Sequence, residues 1–143
     1  MKKLVLMFAI ISLGLLAGCG EDPHPLTGNW ESVEAIGGKR DQLSIINNEN
    51  TPSDPTGTAT VWFWLDDDVL VSAEYADITV SGSDPYRVRL ESGKLCYMGE
   101  CVPDEQRALD ETLDCELEPS KTEMLCEGTL TYVGWEFEFR KND

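Results

Sequence analysis

The sequence predicts an all-β domain, a small antiparallel meander closed into a barrel or strongly curved into a sheet and stapled by two disulfides. Three observations lead there. Beyond residue 26 the chain is a succession of short runs rich in Val, Ile, Thr, Tyr, Phe and Trp, punctuated by Gly, Pro, Asn and Asp. That is the pattern of strands joined by turns. Four cysteines, Cys96, Cys101, Cys115 and Cys126, form an even set beyond residue 26. The last three runs also sort their side chains onto two faces under one mutually consistent pair of registers.

The chain begins with two charges, Lys2 and Lys3, followed by a stretch over 4–16 that is apolar apart from Ser12 and Gly14. A bilayer span needs roughly 20 apolar residues, so this stretch is too short and reads as a secretory signal. It ends in Leu16-Ala17-Gly18-Cys19, which resembles the lipobox of bacterial lipoproteins. The resemblance implies removal of residues 1–18, a diacylglycerol on the Cys19 thiol and commonly a further acyl chain on its amine. At about 0.8 kcal/mol per buried methylene, several chains make a durable anchor in the lipid bilayer. In Gram-negative lipoproteins an Asp after the lipidated cysteine commonly retains the protein at the inner membrane. Here that residue is Gly20, so the resemblance implies the outer membrane in such a host.

Residues 19–26 then form the lipidated N-terminus and a tether, and 27–143 the β-domain. The tether sequence Gly-Glu-Asp-Pro-His-Pro-Leu, residues 20–26, spans at most roughly 23 Å when extended. It contains His24, the one histidine of the chain, which is therefore expected to be a linker residue rather than a ligand or base. Removing residues 1–18 takes away two of the 11 Lys+Arg and none of the 27 Asp+Glu, leaving 125 residues with a formal charge of −18. A domain of that charge is repelled by nucleic acid and by anionic head groups.

The expected strands cover 28–36, 41–46, 57–66, 69–80, 85–91, 93–97, 112–118, 122–131 and 135–141. Residues 47–56 read as a polar surface loop. Residues 103–111 read as a short helix with Pro103 in its first turn. A tight turn at Ser120-Lys121 sets Cys115 opposite Cys126, Leu117 opposite Met124 and Leu113 opposite Gly128. A second turn at Val133-Gly134 sets Leu130 opposite Phe137 and Gly128 opposite Phe139. Both registers place the apolar residues and the Cys115–Cys126 pair on one face and the acids on the other. A slip of one residue inverts that sorting. A two-residue turn at Met98-Gly99 likewise sets Cys96 opposite Cys101, in a close pair that suits a disulfide. The two hairpin pairs are the favoured connectivity, and the two crossed connectivities stay open. Zinc is the rival use of four cysteines. The spacings of four, 13 and ten residues contain no Cys-x-x-Cys, and no histidine lies in the domain, so no metal and no cofactor is expected.

Leu26-Thr27-Gly28-Asn29-Trp30-Glu31, which opens the β-domain, resembles the Gly-x-Trp start of lipocalin-like proteins, including small bacterial lipoproteins. The resemblance implies an antiparallel barrel whose first-strand Trp closes one end, with a basic residue from the chain's end packed across it. Arg140 is the candidate for that role. A Thr-Asp-Tyr triplet typical of the family is absent.

Val61-Trp62-Phe63-Trp64-Leu65 is apolar on both strand faces. One face is expected in the core, while Trp62 and Trp64 line a pocket or a partner surface; the alternative is a strand covered on both sides or exposed at an edge. With Tyr75, they are the candidates for lining a site for a small apolar ligand. Asp66-Asp67-Asp68 has no calcium-loop spacing and reads as a solvated turn. In the registers above, Asp114 faces Glu127 and Glu118 faces Glu123. These like-charge pairs are relieved by water and salt, by a cation or by a basic partner. With no domain histidine, no free thiol and no phosphate-binding Gly-rich loop, no catalytic residue is expected. The expected function is therefore a non-catalytic, membrane-anchored envelope lipoprotein whose domain binds a small apolar ligand or a protein partner. A structural lipoprotein without a ligand cavity is the alternative, and a carboxylate-based hydrolase is less favoured. Cys19→Ser should release the protein from membranes, as read by fractionation; retention of a processed form in the membrane pellet would count against lipidation.

Overall fold

The computed structural model describes residues 22–102, 107–108, 110–128 and 135–142. The expected signal segment and Cys19 lie outside them. Among the described residues all regular structure is strand: β1 (Gly28–Ser32), β2 (Gln42–Ile46), β3 (Thr56–Leu65), β4 (Val69–Gly82), β5 (Tyr86–Tyr97), β6 (Glu100–Cys101), β7 (Arg107–Ala108), β8 (Glu111–Leu117), β9 (Glu123–Gly128) and β10 (Trp135–Lys141). Eight strands run in the order β4-β3-β2-β1-β10-β9-β8-β5, and β4 pairs with β5 to close an antiparallel barrel. The short β6 and β7 attach to the C-terminal half of β5.

Alternation along each strand fills the interior. Trp30, Leu43, Ile45, Ala59, Val61, Phe63, Val88, Leu90, Leu113, Met124 and Phe139 all point inward and are buried. The Cys115–Cys126 disulfide joins β8 to β9 among them, with both residues fully buried and in the expected register. Cys96 and Cys101 pair across the β5–β6 turn, also as the hairpin geometry predicts.

Two ends can be distinguished by strand direction. The base carries residues 22–27, the 47–55 loop, the β4–β5 turn and the β8–β9 turn. The opposite rim carries the 33–41 segment, the 66–68 turn and the 98–99 turn. Trp30 closes the base. Its indole Nε1 donates to the Leu26 carbonyl at 2.8 Å, and Leu26 is itself fully buried. The packed domain thus reaches back into the expected tether. His24 Nδ1 accepts a bond from the Leu26 amide, and the His24 ring meets Tyr86 edge-on at 5.2 Å. Partial burial there lowers the His24 pKa below its ordinary 6.5.

The basic residue across Trp30 is Lys141, not Arg140. In the β1–β10 register Trp30 stands opposite Lys141, whose Nζ lies 5.6 Å from the indole centroid. Arg140 falls one residue off, on the outer face, where it reaches Glu123 at 3.4 Å. Gly28 makes room for this contact. It holds a φ of 140°, and a Cβ there would meet the Lys141 Cε at 2.4 Å.

Four other expectations change. The strand expected over 28–36 stops at Ser32, because side chains take over its pairing. Ser32 Oγ donates to the Glu34 carbonyl and accepts from the Asp41 amide, and Arg40 donates to the carbonyls of Ser32 and Val33. The strands expected at 85–91 and 93–97 are one strand, β5, interrupted at Ser92 with a φ of 57°. The helix expected over 103–111 is not formed at Arg107–Ala108, which pairs with β5, or at Glu111, which opens β8; residues 103–106 and 109 lie outside the described residues. The β9–β10 register places Phe137 opposite Cys126 and Phe139 opposite Met124. That is four residues from the register expected from a turn at 133–134, and Leu130 lies outside the described residues. Because four is even, every side chain keeps its face.

Gly57, buried on β3, sits where the backbone of β2 approaches closely. An added Cβ would lie 1.9 Å from the Ser44 carbonyl oxygen, a backbone atom that cannot swing aside. Gly57→Ala should therefore cost at least about 2 kcal/mol in urea unfolding. Gly38→Ala, which meets nothing within 4 Å and bears only the strain of a φ of 77°, should cost about 1 kcal/mol. A Gly57→Ala cost no larger than that of Gly38→Ala would refute the close approach.

Candidate functional site

Strand β3 carries the Trp-Phe-Trp run. Its two-residue period sends Val61 and Phe63 into the core and Trp62 and Trp64 outward. Tyr75 on β4 stands opposite Ala59 and points inward, where it is buried. The three expected ligand-lining residues are therefore not brought together. Two share an outer-face groove, and the third is a core residue.

The groove holds about 510 Å³ and lies near the rim farthest from the base. Trp62, Trp64, Leu70, Tyr97 and Met98 give it an apolar lining, with Asp68 and Glu74 at its acidic edge. Ser72 and Cys96, opposite each other on β4 and β5, are buried beneath it. The Cys96–Cys101 disulfide clamps the β5–β6 hairpin, whose tip, Met98-Gly99, takes the two positive φ values of a tight turn, 49° and 81°. It leaves Tyr97 51% and Met98 83% exposed, beside Trp64 at 48%.

On its other side the groove is bounded by residues 36–39. Ile36 and Lys39 exchange both backbone bonds around Gly37-Gly38, whose φ values of 56° and 77° suit a two-residue turn. A Cβ on Gly37 would touch Leu70 Cδ2 at 2.9 Å and Trp64 Cζ2 at 3.0 Å, so the turn lies directly on the tryptophan. Lys39 Nζ then sits 5.5 Å from the Trp62 ring centroid. The Gly-Gly pair was visible in the sequence as a turn signal, but nothing local said that the turn folds back over β3.

Asp41 anchors this arrangement from within. Its Oδ1 accepts the Trp62 amide proton at 2.7 Å, replacing the backbone acceptor that β3 loses where β2 begins. Asp41 is almost fully buried, and burial pushes its carboxyl from 3.8 up to about 6, while the Trp62 bond opposes that rise. It also lines a cleft of about 430 Å³ with Ser32, Glu34, Glu136 and Glu138. Sequence reasoning missed Asp41, since a single Asp before a strand carries no signal of burial.

The acidic outer face is partly compensated. Asp114 opposite Glu127 bonds to Arg87 at 3.2 Å, and Glu127 in turn stands opposite Glu136. Glu74, Cys96 and Cys101 bring three ligand-type atoms within 4.8 Å of one another. Both sulfurs are consumed in the disulfide, so the trio offers no thiolate to a metal.

The Asp41 carboxyl binds its proton more tightly in the folded chain than in the unfolded one. Its contribution to stability is therefore full below about pH 3.8 and is lost as the pH rises through about 6. Asp41→Asn keeps an oxygen for the Trp62 amide and removes the buried charge. It should raise stability at pH 7 by on the order of 2 kcal/mol and little at pH 4. Thermal unfolding at the two pH values checks this, and an equal change at both would refute the buried charge.

No protein-family model matches the chain, and no curated protein or solved structure matches it at a significant level of similarity.

Proposed function

We propose that this chain is a non-catalytic envelope lipoprotein whose barrel docks a protein partner on the rim farthest from its anchor. The observation that carries the reading is the position of Trp64, Tyr97 and Met98. They are large apolar side chains exposed together at one end of the barrel. Isolated exposed apolar residues are ordinary, but a contiguous aromatic and Met patch edged by acids has the composition of an interface. The packed side chains of the barrel's inner face favour a surface partner over an apolar ligand held within.

The anchor is the second half of the proposal. With His24 and Leu26 packed at the base, residues 20–23 are the remaining link to Cys19, a reach of roughly 13 Å. A lipid on Cys19 therefore keeps the base at the membrane and turns the aromatic rim away from it.

A photo-crosslinking residue at position 64 or 98, introduced in the native host, should give one discrete protein adduct. The same residue at position 46, where Ile46 is 55% exposed at the base, should not. Adducts equally strong from all three positions, or none from 64 and 98, would overturn the docking surface.

A further inference from the structure

We infer that the groove beside Trp62 is a seat for a cationic side chain, and that the docking partner presents a lysine- or arginine-bearing segment to it. The inference rests on the docking reading above and names the chemistry of what docks.

The groove already holds an ammonium group over an aromatic face. Lys39 Nζ is 5.5 Å from the Trp62 centroid, the geometry in which a ring's negative face attracts a cation. Lys39 arrives on a short arm rather than on a strand, since the one bridge of the 36–39 turn joins Ile36 to Lys39 within the turn and pairs it with no strand of the barrel. An arm held so locally gives way at lower cost than a strand of the barrel. Lys39 thus marks both the position of the seat and the kind of group that suits it.

The surrounding charge selects for a basic partner. Asp68 and Glu74 line the groove, Asp66 and Asp67 lie on the adjoining β3–β4 turn, and Glu100 opens β6 opposite Tyr97. Against them stand Lys39 and Lys94, the latter directly opposite Glu74. A second copy of this chain would bring the same acids to the contact, and an anionic lipid surface would be repelled as well. A polypeptide segment with alternating basic and apolar side chains satisfies both parts of the groove. Its cations meet Trp62 and the acids, and its apolar groups meet Trp64, Tyr97 and Met98.

The test uses the full chain carrying Cys19→Ser and two labelled synthetic peptides, one of alternating Lys and Leu and one with every Lys replaced by Gln. Fluorescence anisotropy at fixed salt reads binding. The Lys peptide should bind saturably, and the Gln peptide at least about tenfold more weakly. Trp64→Ala should weaken Lys-peptide binding about tenfold with an unchanged circular dichroism spectrum. Lys39→Gln should tighten it about threefold by vacating the seat. Lys94→Gln removes the same charge from the same end of the barrel and should change it less.

Equal tightening by Lys39→Gln and Lys94→Gln would reduce the effect to net charge and overturn the seat. Lys-peptide binding indifferent to Trp64→Ala would overturn it too. Equal binding of both peptides, lost in Trp64→Ala, would overturn the cationic seat and leave the docking surface standing. No peptide binding, together with no crosslinks from position 64, would overturn both.

Discussion

The pairing of β4 with β5 is the constraint on which the rest of the structure depends. Seven pairings along the path from β4 to β5 leave a curved sheet with two edges, and the eighth removes them. It demands an unusual hairpin. β4 pairs with β3 through its first half, and β5 pairs with β8 through its own first half, so the hairpin must bend between the two neighbours. Both strands achieve this at one place. Tyr75 and Ile78 are both buried on β4, and Leu90 and Gly93 are both buried on β5, so each alternation slips by one residue. Ser92, with its positive φ, takes up the slip, and the register on either side is unbroken.

Closure sets the energetic character of the interior. Once the edges are gone, inward positions are shielded from water, and most are filled by aliphatic, aromatic and disulfide side chains, with Asp41 and Glu111 as buried acids among the described residues. Buried backbone groups must still be satisfied where strands diverge. This happens where β1 leaves the sheet: Ser32, Arg40 and Asp41 supply side-chain partners in place of the ladder. Asp41 is charged at neutral pH at a cost in stability, and in exchange it holds the strand that carries Trp62 and Trp64. The aromatic groove and the buried acid are thus one construction, seen from the outer and inner faces of β3.

Much of the fold was legible in the sequence because strands have a strict two-residue period. The Cys115–Cys126 register followed from a tight turn at Ser120-Lys121 together with side-chain sorting, and the Cys96–Cys101 pairing from a two-residue turn. The same period explains the error in the last hairpin. A register displaced by four residues sorts the faces identically, so alternation could not distinguish it. Arg140 and Lys141 were confused for the opposite reason: one residue decides the face, and only the β1–β10 register says which residue meets Trp30.

The sequence by itself determined the all-β class, the two disulfides and the acidity, since each is written in local spacing or in composition. It also placed Trp62 and Trp64 together on the face of their strand away from the core, and grouped Tyr75 with them. The tertiary structure alone decided that Tyr75 belongs to the core and the two tryptophans to a groove, and that Lys39 reaches across to one of them. Those contacts join residues far apart in the chain, through the curvature of a closed sheet and a turn folded over its outside. No local pattern encodes either.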